Sequence, residues 1–361
     1  MITLSRTPVE RLESAQDGYR KLTRRRILIV LGLAMLTVAV FCGDVMIGGA
    51  PMPVGDLLRA ALTPGHAPAV DDQIVWGIRL PMSVTGILVG GALAAAGAGM
   101  QTILNNPLAE PYTLGVSAAA GFGAALAAVT GFTSLLPLGS EIGMAGSAWI
   151  FAIAACAMIL GFSRLRGAGA GAETMILLGI AIVFLFNALL ALMQYVASEV
   201  QLQQVVFWTL GSLSRATWPQ IGTLAVVTAV LLPFFYWQAW TLTAFRMGDD
   251  RASALGVPVD RMRTIALIGV SLLAATAVSI AGTIGFIGLV GPHIARILVG
   301  EDQRYFLTAS ILSGATLLTG ASMVSKIVVP GVIIPVGVIT SLVGVPVFLL
   351  IIMTRRQRTW T

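Results

Sequence analysis

The chain has 361 residues, of which 57% are hydrophobic and 11% are charged, and its formal net charge is +6. About a quarter of the residues of an ordinary soluble protein are charged, and a soluble globule of this size needs such a surface to stay dispersed. The composition therefore excludes a soluble globule, and with it the disordered, collagen-like, nucleic-acid-binding and disulfide-stabilised classes. Most of the chain is expected to face lipid or other membrane helices.

About ten segments have the length and apolar character of membrane-spanning helices, which need about 20 mostly apolar residues. A polar stretch of 26 residues ending in three arginines precedes the first of them, and no small-x-small cleavage signal follows Cys42, so we expect an uncleaved helix. The predicted division is a cytoplasmic tail over 1–26, a ten-helix bundle over 27–355 and a cytoplasmic tail over 356–361. The predicted helices lie near 27–47, 80–103, 113–132, 144–163, 174–197, 218–238, 262–281, 282–299, 306–326 and 336–354.

The basic residues predict the orientation of this bundle, because cytoplasmic loops collect Lys and Arg. With the N-terminus inside and ten helices, 18 of the 22 basic residues fall on the cytoplasmic side, and the remaining four are Arg59, Arg79, Arg215 and Lys326. This asymmetry predicts that both termini are cytoplasmic.

Small residues recur at helical spacing in two of the predicted helices. Such rows allow helix backbones to approach closely within lipid, where no hydrophobic force drives helices together. We therefore expect these residues to be packing contacts inside the bundle. The rows are Gly86, Gly90, Ala94 and Ala98, then Gly91, Ala95 and Gly99, and finally Gly282, Gly285, Gly288 and Gly291 in the eighth helix.

Several kinds of chemistry are missing from the sequence. A phosphate-binding P-loop needs Gly followed by Lys, and neither Lys21 nor Lys326 follows a glycine. Ion-driven carriers place ionisable groups inside their membrane helices, and these predicted helices are almost free of them. The two histidines, His66 and His293, lie far apart, and no metal site or cofactor is expected. The chain is thus expected to be a non-catalytic conduit that other proteins drive.

The segment 246–260 between the sixth and seventh predicted helices is charged and cytoplasmic by this topology. Arg251, Ala252 and Leu255 would share one face of a short helix, and Gly256 could end that helix in a left-handed cap. A short helix projecting from a membrane suits the docking of a soluble partner. The alternative is an ordinary polar connector.

Four ordered stretches of the chain resemble the signatures of one family, the permeases of ABC importers for iron-siderophore complexes, haem and cobalamin, which are type II importers. The similarity extends from about residue 27 to 355. The matching stretches are Arg79-Leu80-Pro81, residues 106–111 with 114–117, residues 282–293, and residues 334–340 with 344–346.

The resemblance implies an all-α, ten-helix subunit in the bacterial cytoplasmic (inner) membrane, surrounded by membrane lipid. A second permease subunit, identical or homologous, would complete the pathway. Two separate ATPase subunits would drive it, and an extracytoplasmic binding protein would deliver the cargo. An iron-siderophore complex is the first expectation for that cargo, with haem or cobalamin as alternatives. A gradient-driven secondary transporter is the more distant alternative.

The resemblance also implies roles for individual residues, each with a plainer alternative. Arg79 and Lys326, and with them Arg59, would dock the binding protein, whereas Arg79 could instead anchor the helix at the interface and Lys326 could snorkel to headgroups. The fifth helix would line the pathway, although its polar side chains could equally bond neighbouring helices. His293 is interpreted as structural or near the ATPase interface. The predicted ATPase-coupling residues are Asp250, Arg251, Ala252, Leu255, Gly256 and Val257, and the pathway residues are Asn187, Met193, Gln194 and Tyr195.

Overall fold

The computed structural model describes residues 8–48, 52–65, 68–131, 140–165, 172–329 and 331–354. Over these residues the protein is helical and has no β-strand. A π-helical turn (Val75–Arg79) leads into the fourth helix, and a 3₁₀ turn (Pro111–Leu114) precedes the fifth. The α-helices are α1 (Pro8–Met46), α2 (Val54–Leu62), α3 (Ala69–Ile74), α4 (Leu80–Ile103), α5 (Val116–Thr130), α6 (Ser140–Leu165), α7 (Ala172–Val196), α8 (Glu199–Thr209), α9 (Trp218–Trp237), α10 (Ala239–Phe245), α11 (Asp249–Ala254), α12 (Val259–Ala281), α13 (Ile287–Val299), α14 (Gln303–Ile327) and α15 (Val336–Thr354).

Helices occupy the ten segments that the sequence predicts to cross the membrane, and four short helices, α2, α3, α8 and α10, lie in connections for which no helix was predicted. Among the described residues, seven helices are long and apolar enough to cross a membrane, and three shorter apolar helices, α5, α13 and α15, complete the set. The predicted all-α, polytopic architecture is therefore confirmed. We call the end of the bundle that carries Arg26, Arg296 and Arg304 the cytoplasmic end, following the charge asymmetry, and the opposite end the outer end.

Local sequence signals set several helix starts. Ser198 and Gln201 form a capping box at the start of α8, in which the Ser198 backbone N–H donates to Gln201 Oε1 at 2.9 Å. At α14 the Asp302 side chain accepts from the backbone N–H of Arg304. Carboxylates and hydroxyls at these positions satisfy N–H groups that the first helical turn leaves without a partner.

The eighth predicted helix begins later than expected. It starts at Ile287 and not near residue 282, because Gly282 (φ +75°) and Phe286 (φ +70°) adopt left-handed backbone conformations. Within this break the Ile284 N–H donates to the Tyr112 hydroxyl, which supplies a partner for a backbone group outside the helix. Gly282 and Gly285 therefore precede α13 instead of forming its packing face.

The polar stretch before the first membrane helix is also helical. Residues 8–26 continue without interruption into the rest of α1, so the predicted boundary near residue 26 is not a break in the backbone. Residues 1–7 and 355–361 of the two predicted tails lie outside the described residues, as does His66.

Helix α4 forms the centre of the bundle and packs against α12, α13 and α14. The glycine rows make this packing possible. A methyl group placed on Gly90, which belongs to the first row, would overlap the carbonyl group of Gly314. Gly97, which lies outside the predicted rows, makes an equally close contact with the carbonyl group of Gly288. The predicted role of the α4 row as a close helix contact is confirmed.

Candidate functional sites

Helix α11 is a short helix at the cytoplasmic end, between α10 and α12. It ends in a Schellman motif, in which the Val257 N–H donates to the Ala252 carbonyl at 3.1 Å and the Gly256 N–H donates to the Ser253 carbonyl at 2.9 Å. Gly256 has φ +82°, which confirms the predicted left-handed cap. A side chain with a Cβ would be strained at this position.

An arginine of α12 fixes α11 to the bundle. Arg263 Nη2 donates to both carboxylate oxygens of Asp249, the first residue of α11, at 2.6 and 2.7 Å. The Arg263 side chain is only 5% exposed, and its guanidinium lies 5.7 Å from the centre of the Phe245 ring in α10. The start of α11 is thus held by a buried cation that also packs on an aromatic side chain. Sequence reasoning did not identify this pair, since Asp249 and Arg263 lie on different helices.

The predicted coupling residues do not all face the same way. Asp250, Arg251 and Gly256 are exposed, Leu255 is 65% exposed, and Val257 is partly buried. Ala252, which was predicted to share the face of Arg251 and Leu255, is fully buried. It packs inward because α11 lies against the bundle on this side, so Ala252 offers a partner no side-chain surface. Arg251 and Leu255 remain together on the exposed side.

At the outer end, Lys326 forms a buried ion pair with α1. Its Nζ donates to Asp44 Oδ1 at 2.8 Å and to the Asp44 carbonyl at 2.9 Å. The Lys326 side chain is 3% exposed and that of Asp44 is 0% exposed. Ser83 Oγ of α4 donates to the other carboxylate oxygen of Asp44 at 2.5 Å. The pair joins α1, α4 and α14, and Lys326 does not extend to the headgroups.

Arg79 lies in the same region and is also buried, at 4% exposure. Its Nη1 donates to the carbonyls of Val45 and Met46, at 3.1 and 2.9 Å. These carbonyls belong to the last turn of α1, where backbone acceptors lack helical partners and a cation is favoured by the helix dipole. Arg79 therefore stabilises the end of α1.

The burial of Arg79 and Lys326 counts against their predicted role in docking a binding protein, because neither cation is presented to solvent. Arg59 differs from them. It is an exposed residue of α2, a helix whose opposite face buries Leu57 and Ala60. The Trp76 indole N–H donates to the Ala60 carbonyl at 3.0 Å and holds α2 against the bundle. Docking stays a prediction, and the geometry favours Arg59 for it.

The four predicted pathway residues of α7 divide between two environments. Asn187 is exposed and Tyr195 is 88% exposed, and both lie on the side of α7 that also exposes Phe184. Met193 packs against the hydrophobic core, and Gln194 is partly buried. The predicted pathway lining stays a prediction, for which the exposed side of α7 is the relevant surface.

The connection between α4 and α5 contains a carboxyl group, that of Glu110, within the 106–111 stretch that carries part of the family resemblance. Glu110 Oε2 is buried and accepts no hydrogen bond from the described residues. Desolvation by burial raises the pKa of Glu110 to about 7. The carboxyl group is therefore partly protonated near neutral pH.

Replacing Glu110 by glutamine should flatten the dependence of stability on pH. Because the pKa of Glu110 in the folded state is about 7, above its ordinary value of 4.5, its contribution is fully present below pH 4.5 and is lost as the pH rises through 7. Wild-type protein should lose up to about 3 kcal/mol of stability by this route between pH 5 and 8, and Glu110→Gln should not. Thermal unfolding in detergent at a series of pH values measures this. Parallel pH profiles for the two proteins would contradict it.

Known protein families and structures are similar to this chain along most of its length. The model of the FecCD transport family matches residues 36–354. The hemin transport permease of Yersinia pestis is 38% identical, over 79% of this chain and 84% of that protein. The vitamin B12 import permease of Klebsiella pneumoniae is 32% identical, over 93% of this chain and 96% of that protein. The iron(3+)-hydroxamate import permease of Bacillus subtilis is 32% identical, over 92% of this chain and 84% of that protein.

A solved structure gives the same result at the level of the fold. A metal-chelate type ABC transporter in an inward-facing conformation superposes with a TM-score of 0.76 and 29% identity, over 91% of this chain and 99% of that one. The family model covers most of the chain, and the relatives match along most of their own lengths. The chain belongs to the FecCD transport family and is a multi-pass ABC importer permease.

Proposed function

We propose that this chain forms the translocation pathway for an iron-siderophore complex in the bacterial cytoplasmic membrane. The complex arrives on an extracytoplasmic binding protein, and two separate ATPase subunits drive the transport. A second copy of this chain completes the pathway, with a homologous subunit as the alternative. The permease alternates between outward-open and inward-open states, and its partners shift the population between them.

The observation that carries the proposal is α11. It is an exposed, capped helix at the cytoplasmic end, and the bond from the buried Arg263 to Asp249 fixes its first turn to α12. A partner that pushes or pulls α11 therefore also moves α12, which packs against the central helix α4. This connection supplies a physical route from a soluble ATPase to the membrane helices.

The surface of α7 favours a chelate without free carboxylates. None of the 25 residues of α7 is Lys, Arg or His, and its exposed side offers Asn187 and Tyr195 among apolar groups. Haem carries two propionates that would find no cation on this helix, whereas a neutral hydroxamate chelate needs none. Haem and cobalamin remain the alternative cargoes, because relatives named for hemin and vitamin B12 are about as similar as the hydroxamate permease.

Uptake by the reconstituted transporter tests the proposal. The permease, its ATPase and its binding protein are placed in liposomes, and the uptake of a ferric hydroxamate, haem and cobalamin is measured with and without ATP. We expect ATP-dependent uptake of the ferric hydroxamate. Uptake by the permease alone under a proton gradient would contradict the importer mechanism, and ATP-dependent uptake of haem or cobalamin alone would contradict the cargo.

Substitutions at the end of α11 test the coupling. Leu255→Asp places a charge in the predicted contact with the ATPase, and Gly256→Val strains the left-handed cap. Burial of a leucine at an interface contributes about 2 kcal/mol, so we expect at least a tenfold loss of ATPase stimulation by the loaded binding protein. Leu255→Met is the matched control and should behave as wild type. Normal stimulation in Leu255→Asp, with the permease folded, would place the docking surface elsewhere.

A further inference from the structure

Four basic side chains near the start of α1 form one exposed surface at the cytoplasmic end. Arg20, Lys21, Arg24 and Arg25 are all exposed, and none of them has an ion-pair partner among the described residues. Residues four apart on a helix are neighbours, so Arg20 with Arg24 and Lys21 with Arg25 make two adjacent rows. We call this surface, made of these four residues, the basic face.

The orientation of the basic face is fixed by contacts on other sides of the helix. Arg26 Nη1 donates to Asp302 Oδ2 at 3.1 Å, and its guanidinium lies 5.5 Å from the centre of the Tyr305 ring. Seven residues earlier, the Tyr19 hydroxyl accepts from Arg304 Nη2 at 3.3 Å. Residues seven apart lie on the same side of a helix, so the two contacts join one side of α1 to the start of α14, one just before the basic face in sequence and one just after it. The four cations therefore project from a held helix and not from a free tail.

Aromatic residues mark the depth of the basic face relative to the membrane. The guanidinium of Arg304, which contacts Tyr19, lies 5.0 Å from the centre of the Trp240 ring. Trp240 is 71% exposed and Trp237 is 82% exposed. Exposed tryptophans of membrane proteins collect at the headgroup level. Tyr19, immediately before the basic face, thus lies at the level of the cytoplasmic headgroups.

The length of the basic face agrees with this depth. From Arg20 to Arg25 the helix rises about 7.5 Å, close to the thickness of one headgroup layer, which is about 5–8 Å. The exposed apolar residues Ile27 and Leu28 follow directly and begin the surface that faces hydrocarbon. Leu22, also exposed, lies among the cations. A mixture of cations and exposed leucine suits an interface with lipid better than the surface of a soluble protein.

We propose that the basic face is a binding site for anionic lipid headgroups, with lipid phosphate as the ligand. Arginine guanidinium groups match the geometry of phosphate oxygens with paired hydrogen bonds, and three of the four residues are arginines. Each cation at an anionic membrane surface increases binding about fivefold.

Lipid retention by the full chain tests the proposal. The purified protein is placed in nanodiscs of phosphatidylcholine with phosphatidylglycerol, and the lipids that remain after extraction into detergent are counted by native mass spectrometry. Wild-type protein should retain phosphatidylglycerol preferentially. The quadruple variant with Arg20, Lys21, Arg24 and Arg25 changed to Gln should lose this preference at least about tenfold. A variant with lysine at all four positions is the matched control and should keep most of it.

Three outcomes would overturn the proposal. The first is equal retention of phosphatidylglycerol by wild type and the glutamine variant. The second is full displacement of the lipid by about 10 mM inorganic phosphate, which would indicate a site for free phosphate. The third is a glutamine variant that retains lipid as wild type does but no longer copurifies with the ATPase, which would assign the basic face to the ATPase.

A salt series on wild-type protein tests the proposal without the glutamine variant. Its result therefore does not depend on how that variant inserts into the membrane. Raising the salt from about 0.1 M to 1 M shortens the screening length from about 10 Å to about 3 Å. Retention of phosphatidylglycerol should fall over this range, and retention of phosphatidylcholine should not. Salt-independent retention of phosphatidylglycerol would overturn the proposal.

Discussion

Replacing Lys326 by methionine should destabilise the folded protein by about 3–5 kcal/mol, because it leaves the carboxylate of Asp44 buried without its cation. In the native structure Asp44 is fully buried, and Lys326 Nζ lies 2.8 Å from its Oδ1. Among the described residues, Ser83 is the other side chain that donates to this carboxylate, and one neutral hydroxyl does not offset a buried charge. The loss is measured by unfolding in mixed micelles and by the yield of monodisperse protein.

A double variant separates the ion pair from general damage to the packing. Changing Asp44 to Asn together with Lys326→Met removes both charges, so most of the loss in Lys326→Met should be recovered. Arg59→Met is the matched control, an exposed cation at the same end, and should change stability by less than about 0.5 kcal/mol. Equal losses in the single and double variants would show that the charge is not the cause.

The double variant also tests the prediction that Lys326 docks the binding protein. If Lys326 contacts the binding protein, the double variant should lose binding while remaining stable. If Lys326 serves only the ion pair, the double variant should bind normally and Arg59→Met should not. The affinity of the binding protein for each reconstituted variant distinguishes the two roles.

The helices of this fold could be predicted from the sequence because each is encoded locally. The apolar length of a segment and the spacing of its glycines depend on residues close together in the chain. The end of α11 was predictable for the same reason, since Gly256 needs only its neighbours to form a left-handed cap. The break at 282–286 was not, because it depends on Tyr112, which is distant in sequence.

The environment of the charged residues could not be predicted in the same way. The sequence predicts that Lys326 and Arg79 are cations at the outer surface. It does not reveal that Lys326 pairs with Asp44, or that Arg79 binds the last carbonyls of α1. The Arg263–Asp249 pair was missed for the same reason. Partners on other helices are set by tertiary packing, so burial of a charge becomes visible only when the helices are placed together.

Gly97→Ala is expected to prevent stable assembly of the bundle, although it adds a single methyl group. That methyl would overlap the carbonyl of Gly288, and a backbone group cannot rotate away as a side chain can. Overpacking of a core costs about 1–3 kcal/mol even where side chains can move, so we expect at least about 3 kcal/mol here.

Gly91→Ala, in the same helix, is the matched control for Gly97→Ala. Its methyl would meet Ile311 Cγ2 at 3.2 Å, a side-chain atom that a small rotation can relieve, and alanine favours the helix over glycine. Gly91→Ala should therefore be close to wild type in yield and unfolding, while Gly97→Ala should aggregate or elute as a broad peak. Similar behaviour of the two variants would mean that α4 and α13 do not touch backbone to backbone. The break before α13 would then be free to move independently of the central helix.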